Sequence, residues 1–274
     1  MGKKISSLNQ SQNMDKRMPS SSRPEKIDNM ILSPSQPEKI ENMILNSNRP
    51  KNMNKKILNS NQLKIIACIS MLIDHAGLVL FDNNMIMRGI GRLAFPIYVF
   101  LLVEGFRHTS NAFKYTGRLL MFALLSELPY DLAVKGRVLE FTHQNIFFTL
   151  AFGVMTLGVL QLPHMPKIQK YVIVVAIMIL CQVLRFDYGM GGILLVLIFN
   201  TLRDNRKSIL QVTGLSAIVY FAFWGALQLV AVFAMVPISM YDGNRGKLKL
   251  KYVFYAFYPV HLLVLWVIGK MMGV

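Results

Sequence analysis

The chain has 274 residues, 53% of them hydrophobic, and carries a net charge of +16. Soluble domains rarely combine the two, and several apolar runs reach the roughly 20 residues that cross about 30 Å of hydrocarbon. Composition therefore sets aside an ordinary soluble enzyme or nucleic-acid binder: the expected class is all-α, a polytopic transmembrane helix bundle. Its excess Lys and Arg then acts as an orientation signal.

Residues 1–62 read as a low-complexity cytoplasmic tail. Within it "RPEKIDNMILSPS", "QPEKIENMILNSN" and "RPKNMNKKILNSN" repeat with a thirteen-residue period. That unit is too short for a solenoid. Its Asn, Ser, Pro and Lys content predicts a disordered or transiently helical leader, either without catalytic value or serving as a partner-docking segment. From Met53, "MNKKILNSNQLKII" reads like an ordinary start directly before a first span. No cleavable-signal pattern is read in the first sixty residues. Cys68 and Cys181 lie in apolar runs without metal or redox spacing, which predicts structural roles.

From residue 63 to 274 about nine spans are predicted, at 63–81, 89–106, 116–134, 145–161, 170–184, 188–202, 208–223, 226–240 and 252–270. The run 208–240 reads alternatively as one long tilted helix with a re-entrant piece. With the tail inside, alternate connections place twelve Lys and Arg inside and six outside. The positive-inside rule then puts the N-terminus in the cytoplasm and the C-terminus outside.

On that topology most intramembrane polar groups share the outer half. They are Asp74 and His75 in span one, Arg88 and Arg92 around glycines in "RGIGRLAFP", Glu127 and Asp131 in "SELPYD", Asn145, Asp187, and His261 in "FYPVHLLVL". Ionisable groups at membrane depth turn toward a bundle interior or wet cavity and pair with one another. Each has two readings. Asp74 is either a structural ion-pair partner of Arg88 or Arg92 or part of the chemistry. His75 is either a satisfied interior histidine or a general base, because imidazole titrates near neutrality. The two adjacent side chains diverge by about 100° on a helix and cannot face one partner. Glu127 and Asp131 share a face one turn apart, with Pro129 distorting the turn. They orient a histidine, bind a cation, or snorkel. Glu104 is expected to pair with Arg107 or Arg118. No metal-ligand spacing occurs, and no metal is predicted. The loop "GFRHTSNAFKYTGR" is either positive-inside charge alone or a receiver for phosphates, through Arg107, His108, Lys114 and Arg118, with Tyr115 available for stacking.

Six segments in series, "LKIIACISMLIDHAG", "RGIGRLAFPIYVFLLVEGFRHTSN", "LLMFALLSELPYDLA", "NIFFTLAFGV", "RFDYGMGGILLVLIF" and "KYVFYAFYPVHLLVL", resemble the TraX family of bacterial inner-membrane proteins. The resemblance covers nearly everything but the repeat tail. It implies N-terminal acetylation of a conjugative pilin, with acetyl-CoA as donor and the bacterial cytoplasmic membrane as location. It also implies a distant similarity to membrane acyltransferases that modify sugars and other acceptors. In that group a first-span histidine is catalytic, and His75 occupies the matching place. "FYPVHLL" is similar to that group's closing His-Pro motif with the order reversed, which brings in His261. The expected mechanism seats CoA phosphates at Arg107, His108, Lys114 and Arg118. His75 deprotonates the acceptor, Asp74 or Glu127 orients the imidazole, and Arg92 or Asn145 stabilises the oxyanion. The acceptor is a pilin amine or an envelope glycan hydroxyl or amine. The competing readings are an ion- or proton-coupled transporter and a non-catalytic pilus or secretion assembly protein.

Overall fold

The computed structural model describes residues 57–138, 140–202, 208–246 and 251–273. The thirteen-residue repeats, up to residue 56, lie outside the described residues, as do the side chains of Arg203, Arg206, Lys207, Lys247, Lys249 and Lys251, which the charge count used. The described part is helical, and its only β pairing is two isolated bridges, Leu58 with Tyr241 and Gln144 with Phe186.

Helix α1, Ser60–Val79, starts at a capping box. The Asn59 side chain accepts from the Asn61 and Gln62 backbones, and Gln62 reaches back to the Asn59 N–H at 2.8 Å. Those bonds satisfy amides that a helix start leaves open. After a turn at Asp82 and Asn83, both with positive φ, the chain enters α2, Met85–Gly91, and α3, Ala94–Arg107. Helix α4, Ala112–Tyr130, contains Pro129 and runs into a π-helical turn, Asp131–Lys135. The turn around Pro129 stays closed, with the Asp131 N–H donating to the Glu127 carbonyl, and the wide turn follows it rather than falling between Glu127 and Asp131. Then follow α5, Ile146–Leu160; α6, Lys167–Val183; α7, Gly189–Leu202; and α8, Ser208–Trp224. A 3₁₀ segment, Ala226–Ala234, and a short α9, Met235–Ser239, lead to α10, Lys251–Met272.

The nine predicted spans each coincide with a helical segment. Among the described residues, three helices are long and apolar enough to cross a membrane: Ser60–Val79, Met85–Arg107 and Tyr252–Met272. Ile146–Leu160, Gly189–Leu202, Ile209–Trp224 and Ala226–Ser239 are apolar but shorter. Fifteen helical residues rise only about 22 Å, short of the hydrocarbon thickness. The run 226–240 is no α-helical span. Gly225 at φ +78° ends α8, and the chain continues as a 3₁₀ helix. Hydropathy reports apolarity, and backbone geometry and length decide the crossing.

Leu63, Ile97, Val103, Leu150, Val196 and Leu262 are buried where α1, α3, α5, α7 and α10 meet. Helices α6 and α8 turn Val172, Val175, Ile179, Ile218 and Phe221 outward, the apolar exterior of a bundle facing hydrocarbon. Close approach of α1 and α2 depends on Gly91: a Cβ there would overlap the Asp74 side chain. The Ser70 hydroxyl locks the same contact by donating to the Ile90 carbonyl at 2.7 Å. Cys68 and Cys181 are buried free thiols, Cys68 lying 3.2 Å from the Tyr98 hydroxyl.

Candidate active site

His75 on α1 and His261 on α10 meet across the bundle: His75 Nδ1 lies 2.7 Å from His261 Nε2. His261 Nδ1 sits 2.8 Å from the Phe257 carbonyl oxygen, which only accepts. Hydrogen-bond logic then assigns the protons. His261 carries its proton on Nδ1 and, as a neutral ring, accepts through Nε2. His75 therefore donates from Nδ1, and its Nε2 holds a free lone pair. His261 is buried between the stacked Phe257 ring, 4.8 Å away, and the edge of Tyr258. The arrangement fixes the orientation of one imidazole with another, the positional logic of a base held by a third group.

Around this pair stands a ring of charges. Arg88 Nε lies 3.5 Å from Asp74 Oδ1, and Asp187 interacts electrostatically with Arg92, Asp74 and Arg88. Arg92 also faces Tyr188, within hydrogen-bonding reach, and its Nε is buried without a hydrogen-bond partner. Gln228 donates to the Tyr188 hydroxyl at 3.3 Å, tying the 3₁₀ segment to this network. The charges of Arg88 and Arg92 reach His75. Most residues predicted to share a depth thus share a neighbourhood, but several roles differ from expectation.

Asp74 does not orient His75. It pairs with Arg88, because neighbouring positions on α1 diverge by about 100°. His261 holds that place instead. Glu127 does not orient His75 either: its Oε2 accepts from the Asn145 side chain in a very short contact and from the Asn145 backbone at 3.3 Å. Asn145 has no donor left for an oxyanion. Its amide also donates to the Ala123 carbonyl at 2.7 Å, and its Oδ1 accepts from the Phe147 N–H at 3.0 Å, capping α5. Asn145 is a joint between α4 and α5. Asp131 Oδ2 accepts from the Glu140 N–H at 2.9 Å. In the connecting loop, hydrogen bonds from Thr142 hold Glu140 below the usual carboxylate range. Partial burial and the charges of Lys135 and Arg185 hold His143 below the usual imidazole range.

A cavity of about 550 Å³ is lined in part by α1 and α10, and its wall includes Tyr258, whose ring packs against both histidines. Lys64, Glu104, His108, Arg118 and Arg245 give its wall charged and polar groups, and Met71, Leu102, Ile146, Phe147 and Leu150 give it apolar surface. Lys64, Met71 and His75 are spaced seven and four residues apart on α1, and Phe254, Tyr258 and His261 four and three apart on α10. Such spacings put each trio on one face. The two helices that carry the histidines therefore also line the cavity. The distance along α1 from Lys64 to His75 is about 16 Å.

Of the four residues expected to hold phosphates, His108 and Arg118 line this cavity and Arg107 and Lys114 do not. Arg107 donates to the Asn200 carbonyl at 3.3 Å, and Lys114 is exposed. Arg118 lies over the Tyr115 ring, 5.4 Å from its centroid, and within reach of the Tyr255 hydroxyl. Glu104 meets His108 at 3.1 Å and accepts from the Tyr241 hydroxyl at 3.4 Å. Sequence reasoning missed Lys64, Arg245 and Tyr258 as cavity residues. The helical spacing of Lys64 to His75 was the signal available for the first.

Fold and site together define a helical membrane protein with a histidine pair across its bundle, next to an amphipathic cavity. The chain belongs to the TraX family: the family model, "TraX protein", matches residues 59–269. Probable fimbrial assembly protein FimC, serogroup H1, of Dichelobacter nodosus is 30% identical over 236 residues, covering 74% of this chain and 93% of the relative. An uncharacterized protein of Rickettsia prowazekii, RP591, is 30% identical over 91 residues, a stretch that covers 33% of each chain. No solved structure matches.

Proposed function

We propose that the protein is a membrane acetyltransferase that moves an acetyl group from cytoplasmic acetyl-CoA to an acceptor on the far side of the bacterial inner membrane. The observation that carries this reading is the His75–His261 pair packed behind Tyr258, a wall residue of a cavity that Lys64, His108, Arg118 and Arg245 also line. Lys64, Arg118, Arg245 and His108 suit the phosphates of the donor, and the apolar interior suits its linear thioester arm. His75 Nε2 takes the proton of the acceptor amine or hydroxyl as that atom bonds to the thioester carbonyl carbon. His261 holds the ring in position and shares the imidazolium charge. As the carbon–sulfur bond breaks, His75 returns the proton to the thiolate sulfur, so no net proton is consumed. Arg92 is the remaining nearby donor for the developing oxyanion, through its unpartnered Nε.

The acceptor is a pilin amine or an envelope hydroxyl or amine. The fimbrial-assembly name of the Dichelobacter relative favours a pilus subunit. The same name supports a second reading, an assembly protein without chemistry of its own. Purified protein in detergent with radiolabelled acetyl-CoA separates the two. The expected result is donor binding by wild type and by His75→Ala, with slow thioester cleavage in wild type only. A folded wild type that binds no acetyl-CoA would refute the enzyme and leave the assembly reading.

A further inference from the structure

Tyr258 is shared between the cavity wall and the histidine pair. It is 3% exposed and belongs to the cavity wall, whereas neither His75 nor His261 does. Its ring meets His75 edge-on at 6.0 Å and 68° between planes, and His261 at 5.7 Å and 64°. From the cavity side Phe147 packs perpendicular to it at 5.2 Å and 87°. Its hydroxyl is within hydrogen-bonding reach of the Ile146 backbone, at the start of α5. The ring is thus held by α5 at its tip and by the histidines at its edge. Tyr258 therefore touches the cavity on one side and both histidines on the other.

Direction of entry gives this partition a consequence. A donor whose phosphates rest at Lys64, Arg118 and Arg245 advances with its thioester foremost, and the acyl group leads. The arm behind the sulfur fills the cavity; the acyl chain needs room beyond it. Space at Tyr258 therefore sets how long an acyl group can be while its carbonyl still reaches His75.

We propose that Tyr258 is the specificity-determining residue that restricts the donor to short acyl groups. The proposal rests on the acyltransferase reading and adds the substrate limit to it. The bonds made and broken are those of the transfer itself, and only the size of the acyl group changes. One methylene against a packed apolar wall discriminates about 10- to 200-fold.

The test uses the full chain in detergent and measures release of free CoA thiol from acetyl-, butyryl- and octanoyl-CoA. Wild type should strongly prefer acetyl-CoA. Tyr258→Ala should raise the octanoyl-to-acetyl ratio of kcat/KM at least about tenfold. Tyr258→Leu, which keeps apolar bulk but removes the ring, should shift the ratio the same way and serves if the alanine variant does not fold. Tyr258→Phe keeps the ring and should keep the ratio. Equal use of octanoyl- and acetyl-CoA by wild type overturns the proposal. So does an unchanged ratio in both the alanine and leucine variants, provided thiol release is still lost in His75→Ala; the acyltransferase reading then survives. No release from any donor by folded wild type overturns both.

Discussion

Asn145→Asp should destabilise the protein more than Asn145→Ala does, which inverts the usual ranking at a helix N-cap. At an ordinary cap Asp is as good as Asn, and Ala costs about 1 kcal/mol. Here the cap oxygen is one of three contacts: Oδ1 accepts from Phe147 N–H, while the amide donates to the Ala123 carbonyl and to the Glu127 carboxylate. Alanine removes the cap, the hydrogen bond to the Ala123 carbonyl and the one to the Glu127 carboxylate, together about 3–5 kcal/mol. Aspartate keeps the cap but turns both donors into a carboxylate facing Glu127. Two like charges about 4 Å apart repel by about 4 kcal/mol at an effective dielectric of 20, with the lost hydrogen bonds added to that. Thermal unfolding in detergent reads the difference. Alanine should lower Tm by about 6–20 °C for a domain of this size, and aspartate by more. An aspartate variant as stable as wild type, or more stable than the alanine variant, would refute the assignment of Asn145 as an α4–α5 joint.

Gly91→Ala forces a methyl group into Asp74 and should cost about 1–3 kcal/mol by overpacking, whereas Gly214→Ala meets open space and should leave Tm unchanged or raised. On the acetyltransferase reading, Lys64→Gln should raise KM for acetyl-CoA about tenfold or more with little change in kcat, while Arg107→Gln, away from the cavity, should change neither. His143 releases its proton more readily in the folded protein than in the unfolded chain, through partial burial and the charges of Lys135 and Arg185. The unfolded state then binds more protons, so stability falls as pH drops below about 6.5. His143→Gln should lack that contribution, and equal pH profiles for the two proteins between pH 7.5 and 5 would contradict it.

The sequence by itself determined where the helical segments lie, because apolar runs and their Gly and Pro punctuation are local. It also identified nearly all the polar residues that gather in the bundle, since each is costly at membrane depth and stands out for that reason. The family resemblance pointed to His75 and His261 separately. Tertiary structure decided which of these groups meet. His75 adjoins Asp74 in the chain, yet its partner is His261, 186 residues away, because a helix turns adjacent side chains apart while two packed helices bring distant ones together. The same geometry moved Asn145 from chemistry to structure and brought Lys64 and Arg245, not Arg107 and Lys114, to the cavity that His108 and Arg118 line. Periodicity shows which residues share a face. Which face meets which depends on packing across the whole bundle, where glycine contacts such as Gly91 against Asp74 set how closely two helices approach.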